Sequence, residues 1–174
     1  FNDARYRLHI GHFPRPLAVY PAGGLPNSKQ TVTMILNNGS TFKQDIQASQ
    51  LGLTSIQATR NQHSSPTPLP FHTSPLPSYL EKKDNDSKAS VKEFPNIPVT
   101  FDGIIEKDND ADWWAFTAKK GINLRIEVLA HKLGTGLDSI LEIYNTKGQH
   151  RKRQDDSGSP DAAINYKTEY DGKV

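Results

Sequence analysis

The chain has 174 residues, of which 34% are hydrophobic, a polar balance that suits two modest modules better than one well-buried globule. Its 21 basic and 19 acidic residues leave a formal charge of +2, so no global charge draws it to nucleic acid or an anionic membrane, and the lack of cysteine excludes disulfides, thiol catalysis and thiolate metal sites. No apolar run approaches the roughly 18 residues a membrane-spanning helix needs, and no charged-then-apolar signal segment opens the chain.

From the start, residues 5–10 alternate strictly, with Tyr6, Leu8 and Ile10 on one face and Arg5, Arg7 and His9 on the other, which predicts a half-exposed strand. Pro14, Pro16, Pro21 and Pro26, with Gly23 and Gly24, leave room only for a short edge strand at 17–20. Residues 31–36 are β-branched and alternating, Asn37, Asn38 and Gly39 signal a tight turn, and residues 41–46 return as the paired strand. A weaker alternation predicts another strand at 51–59. Residues 61–78 then carry Pro66, Pro68, Pro70, Pro75 and Pro77, which block ladder hydrogen bonding and predict extended polyproline geometry at a module boundary, pinned to a surface by Leu69, Phe71 and Leu76.

After a charged stretch containing Asp84, Asn85 and Asp86, strand pattern returns at 97–105. Leu124, Ile126 and Val128 alternate with Arg125 and Glu127; Leu137, Leu141 and Ile143 follow, then turn signals at 145–148 and 155–158, then Ile164, Tyr166 and Thr168. No stretch holds a helical period over several turns. Short strands with turns at roughly ten-residue spacing predict an all-β chain of sandwich type.

The most chemically pointed stretch is residues 108–116. Asp108, Asp110 and Asp112 stand at every second position, which in an extended segment places all three on one side and calls for water or a hard cation to relieve their repulsion. Trp113, Trp114 and Phe116 follow and anchor a core strand, with one indole left as a candidate stacking surface for a sugar or peptide. The acidic run starts like an EF-hand but fails, since Trp113 and Lys119 stand where a glycine and a glutamate are required. Other chemistry is poorly served. The triplet Asp156, Ser157 and Gly158 resembles half of an aspartic-protease pair but has no second copy and reads as a turn; no Gly-x-Ser-x-Gly occurs; and the six histidines show no zinc spacing. His150, Arg151, Lys152 and Arg153 form the basic run, read as a solvated hairpin tip.

Phe101, Asp102, Gly103, Ile104 and Ile105, followed by Asp110, Asp112, Trp113, Trp114, Phe116, Gly121, Leu124, the 133–138 Leu-Gly-Thr-Gly-Leu-Asp run, Leu141, Tyr144, Gly148, Asp155, Asp156, Asp171 and Gly172, resemble the bacterial pre-peptidase C-terminal domain over about residues 81–174. The resemblance implies a calcium-stabilised, jelly-roll-like β-sandwich attached to secreted peptidases and other exported enzymes, without catalysis of its own. The front half resembles the layout of planctomycete-type exported proteins: residues 1–12 as the terminal strand of a preceding pre-peptidase-like domain, 13–65 as a small immunoglobulin-like module, and 66–80 as a Pro-rich linker. Both ends then read as cut from a longer protein, with the second sandwich lacking its last strand. Residues 5–10 are expected to supply that strand, within the chain or by exchange into a homodimer, with exchange favoured.

By similarity to the collagen-binding domains of clostridial collagenases, the resemblance implies a calcium site built from Glu81, Asn85, Asp86, Asp108, Asp110 and Asp112, with Lys83 standing where a second glutamate belongs. The resulting expectation is a non-catalytic spacer, folding aid or binding segment of an exported bacterial protein, secreted, periplasmic or at the cell surface, partnered by the rest of its parent protein. The alternatives are a module that binds polysaccharide or extracellular matrix, and, third, a hydrolase.

Overall fold

In the computed structural model the described residues are 5–83, 85–92, 94–145, 147–156 and 158–174, and they are almost entirely β. Thr146 of the expected 145–148 turn, Ser157 of the Asp156 triplet and Asp84 lie outside the described residues, as do residues 1–4 and Glu93.

The first unit opens with β1 (Pro16–Tyr20), β2 (Gly23–Gly24), β3 (Lys29–Leu36) and β4 (Thr41–Gln47). β1 and β4 flank β3 in an antiparallel sheet, and the β3–β4 hairpin closes where the Asn-Asn-Gly signal placed it. Leu36 donates its N–H to the Ser40 carbonyl at 2.9 Å, and Gly39 takes φ +78°, a left-handed value that favours glycine. The chain continues through β5 (Gly52–Ile56), the small hairpin of β6 (Thr59–Arg60) and β7 (His63–Ser64), and β8 (Leu69–Thr73). β8 is the centre of a second sheet, parallel to β2 and antiparallel to β5. Val19, Val32, Met34 and Ile46 from the first sheet join Ile56, Leu69 and Phe71 from the second, with Ala48 and Ala58 from the segments between strands, in one shared core. Met34 and Phe71 are wholly buried, each worth about 1.5–3 kcal/mol of apolar transfer.

This architecture corrects the reading of residues 66–80 as a linker, because the first sandwich runs on through Thr73. The prolines deceived for a definable reason. His72 and Ser74 donate their N–H groups to Ala22 and Gly24 at the β2 edge, so Pro70, of the same parity, turns its nitrogen toward a side that β2 no longer covers. A residue without an N–H loses no ladder bond there.

The second half contains β9 (Ser78–Leu80), β10 (Thr100–Asp102), β11 (Thr117–Ala118), β12 (Asn123–Glu127), β13 (Leu141–Tyr144), β14 (His150–Gln154), β15 (Ala163–Lys167) and β16 (Gly172–Lys173). β9 and β10 pair in parallel; β11 with β16, β12 with β15, and β13 with β14 pair antiparallel. Ala118, Ala130, Ile143, Ala162 and Ile164 are buried. Two strand expectations shrink: 97–105 yields only β10, and the segment from Trp113 yields only β11. Trp113 donates to the Asn85 carbonyl, Phe116 exchanges backbone bonds with Val174, and Thr117 bridges Asn96, so the segment changes partner too often to build a ladder.

Residues 5–10 form no strand, and Tyr6, Leu8 and Ile10 are 93%, 71% and 87% exposed. The expected pairing within the chain is therefore not made; alternation marks a competent strand, but a ladder needs a partner.

One buried charge ties this half together. The Asp161 carboxylate, 3% exposed as a residue, accepts the N–H groups of Ala130, His131 and Lys132 at 2.8, 2.7 and 3.1 Å. Burial pushes its pKa up, but these three bonds outweigh burial and hold it below the usual carboxylate value of 3.8. A depressed folded pKa stabilises the protein above the unfolded value and loses that contribution as pH falls through the folded one. Asp161→Asn is expected to cost about 2–3 kcal/mol at pH 7, since one backbone donor then faces an amide NH2. Urea unfolding at pH 7 and pH 3 checks this, and the gap between wild type and variant should narrow at the lower pH.

Candidate metal centre

The parallel pairing of β9 with β10 continues one residue beyond both strands, because Glu81 donates its N–H to the Asp102 carbonyl at 2.8 Å. Glu81 thereby swings its carboxylate to the Ile104 N–H, which donates to Oε2 at 2.6 Å. Asp112 arrives on the other side of Gly103. A Cβ at position 103 would lie 2.9 Å from Asp112 Oδ2 and 3.3 Å from Glu81 Oε2, so only glycine lets these carboxylates close in. Burial first, then the charge of Glu81 and a hydrogen bond shared with it, then Asp110 and Glu106, push the Asp112 carboxyl up to about 7.

Asp110 enters from a turn. Its N–H donates to the Lys107 carbonyl at 3.2 Å, with Asn109 in the left-handed region at φ +62°, and its Oδ2 accepts the Glu106 N–H at 2.9 Å. This turn breaks the alternation expected to place Asp108, Asp110 and Asp112 on one side. Asp110 points inward with a side chain 1% exposed, whereas Asp108 is exposed at the turn's tip and joins none of the metal-spaced acidic groups among the described residues. Carboxylate oxygens of Asp86, Glu106 and Asp110 lie within 4.8 Å of one another. The Lys107 ammonium stands beside them, 3.0 Å from Asp86 Oδ2 and 3.9 Å from Asp110 Oδ1, and its pKa is raised by the bond to Asp86 and by the surrounding acids. Asn85 is 8% exposed and gives its backbone carbonyl to Trp113 N–H at 2.9 Å.

Of the six residues expected here, Glu81 and Asp112 meet at Gly103, Asp86 and Asp110 come together with Glu106, and Asn85 is buried in the loop tied to Trp113 beside Asp112. Sequence reasoning missed Glu106, Lys107 and Gly103. Lys83, expected to intrude, is exposed, and the lysine seated on the acids is Lys107.

A divalent cation fits this donor set. Asn85 Oδ1, Asp110 Oδ1 and Asp112 Oδ1 are all buried without a hydrogen-bond partner, an expensive condition for an oxygen that coordination to a cation relieves. The donors are hard, anionic and oxygen-rich, which selects calcium over softer metals. Aromatic stacking braces the site: Trp114 lies on Phe101 with ring centroids 4.5 Å apart, and Trp113 on Tyr144 at 5.0 Å. Both indoles are thus engaged inside the protein. A second acidic group, Asp138, Asp155 and Asp156, is already served by Arg153, which donates to Asp155 at 3.2 Å. All six histidines lie outside the buried class.

The chain is 30% identical over 95 residues to a probable subtilase-type serine protease of Deinococcus radiodurans, a similarity covering 51% of this chain and 12% of that protein. No protein-family model matches the chain, and no solved structure matches it.

The elevated Asp112 pKa has a definite sign in metal-free protein. A carboxyl held above its unfolded value of 3.8 contributes stability that is present below that value and lost as pH rises through about 7. In chelator, Asp112→Asn is therefore expected to melt several degrees above wild type at pH 8 and to lose that advantage by pH 4. Melting curves at the two pH values check it.

Proposed function

We propose that the chain is a non-catalytic accessory segment of an exported, peptidase-associated bacterial protein, and that its second half is a calcium-stabilised β module of the pre-peptidase C-terminal kind. The observation that carries this reading is the pair of carboxylates, Glu81 and Asp112, drawn together at Gly103, with partnerless buried oxygens on Asn85, Asp110 and Asp112. Such a cage costs stability when empty and returns it when filled, which makes folding conditional on the cation. Extracellular modules work with calcium affinities of about 10⁻⁴ to 10⁻³ M, a range suited to an exported protein that stays loosely folded until it meets millimolar calcium outside the cell. The similarity to a stretch of a much longer subtilase-type protease supports the peptidase association. The segment's role is that of spacer or folding aid beside the rest of its parent protein.

Calcium at 100 times its dissociation constant should stabilise the full chain by about 2.7 kcal/mol, a rise of roughly 5–10 °C over chelator. Asp112→Ala should abolish the response. Superimposable melts in calcium and chelator would remove the site, and reproducible turnover of casein, lost on a point mutation, would remove the non-catalytic role.

The exposed alternating face of Tyr6, Leu8 and Ile10 suits a strand lent to a β module of a second copy of the chain. Deleting residues 1–10 should then eliminate a dimer seen on sizing chromatography at high concentration. An elution profile unchanged by the deletion sinks strand exchange alone.

A further inference from the structure

Within the proposed calcium site, Lys107 occupies a position that an ion-binding cage would be expected to keep clear. Its ammonium lies 3.0 Å from Asp86 Oδ2 and 3.9 Å from Asp110 Oδ1, beside the acidic group of Asp86, Glu106 and Asp110, whose oxygens are mutually spaced for a common cation. Asp110 Oδ1 is buried and has no hydrogen-bond partner, so the ammonium sits close enough to neutralise it but not to bond it. A calcium ion bound at about 2.3–2.6 Å from oxygens of Asp86 and Asp110 would face the ammonium across a single carboxylate. Two cations that share those oxygens repel each other, and the buried Asp110 carboxylate cannot serve both.

We propose that Lys107 is a tethered counter-cation that holds the carboxylates together in the metal-free protein and must be expelled for calcium to bind, so that this lysine sets the affinity of the site. This deepens the calcium reading and rests on it. Expulsion is mechanically easy. The Lys107 side chain is 64% exposed and hangs on a four-carbon stem from the turn, whose backbone bond to Asp110 uses the lysine carbonyl and does not involve the side chain. The lysine can therefore swing into solvent while the turn keeps Asp110 aimed inward. In the metal-free state its departure takes from Asp86 and Asp110 the ammonium that pairs with them. Removing the side chain has opposite effects on the two states: the empty cage is less stable and the filled one binds more tightly.

The test is calcium chloride titration of the full chain by calorimetry at neutral pH and low salt, with melting curves in chelator and in calcium. Lys107→Met is expected to tighten calcium binding about three- to tenfold and to lower the chelator melting point. Lys107→Arg, which keeps the charge, should bind within about twofold of wild type. Lys83→Met, which removes an exposed charge from the neighbouring segment, should change affinity much less than Lys107→Met. Equal tightening in the two methionine variants would show a general charge effect and overturn the proposal. So would wild-type affinity in Lys107→Met, an outcome that leaves the calcium site standing. Absence of calcium binding in every variant would overturn the site and this inference together.

Discussion

Carboxylates crowded into a partly desolvated space cannot all stay charged and unpaired. Around Asp112 the chain relieves that constraint by three means at once. Glu81 spends one oxygen on the Ile104 N–H, Asp110 spends one on the Glu106 N–H, and Lys107 lends a positive charge to Asp86. Asp112 shares a hydrogen bond with Glu81, and Oδ1 of Asp110 and of Asp112 stay partnerless. The local backbone is shaped to this end. The parallel β9–β10 pair presents Glu81, Gly103 clears the space between two acids, and the turn at Asn109 sends Asp110 in and Asp108 out. The weakly laddered path from Trp113 to Phe116 follows, because a chain that must aim Asp112 inward and also touch Asn85, Asn96 and Val174 cannot remain beside one neighbour.

A contrast with Asp161 shows how surroundings decide the behaviour of an acid. Asp161 is buried, yet its carboxyl stays easily ionised because three backbone N–H groups point at it. Asp112 has other acids for company, and its proton is retained toward neutrality. The first arrangement holds a loop in place; the second holds a proton.

The all-β character was legible because strand alternation at Val32 and Met34, Leu124 and Ile126, and Ile164 and Tyr166 survives directly in the ladders, and because the Asn-Asn-Gly turn leaves the chain little choice. The alternation of Leu69, Phe71 and Thr73 was equally present but hidden behind prolines, whose meaning depends on which side of a strand has a neighbour. That is a tertiary fact. For the site, the acidic residues were legible as a group, and Asp108 was misplaced because regular alternation was assumed through Lys107 to Asp110, where the Asp-Asn pair is itself a turn signal. Glu106 and Lys107 are ordinary surface types in one dimension, and only folding shows them seated on Asp86 and Asp110.

Pro70 also bears on how the two halves of the chain meet. Along the flank of β8 that β2 does not cover, Pro68 and Pro70 share the parity of the residues that donate to β2, and neither has a hydrogen to offer. The 131–134 turn of the second half lies against β8, where a Cβ on Gly134 would stand 3.5 Å from the Cγ and Cδ of Pro70. An N–H at position 70 would be covered there by a turn that does not continue the ladder, and a proline leaves none to satisfy. The ring that disguises the strand in the sequence thus doubles as an apolar face on which another part of the chain rests.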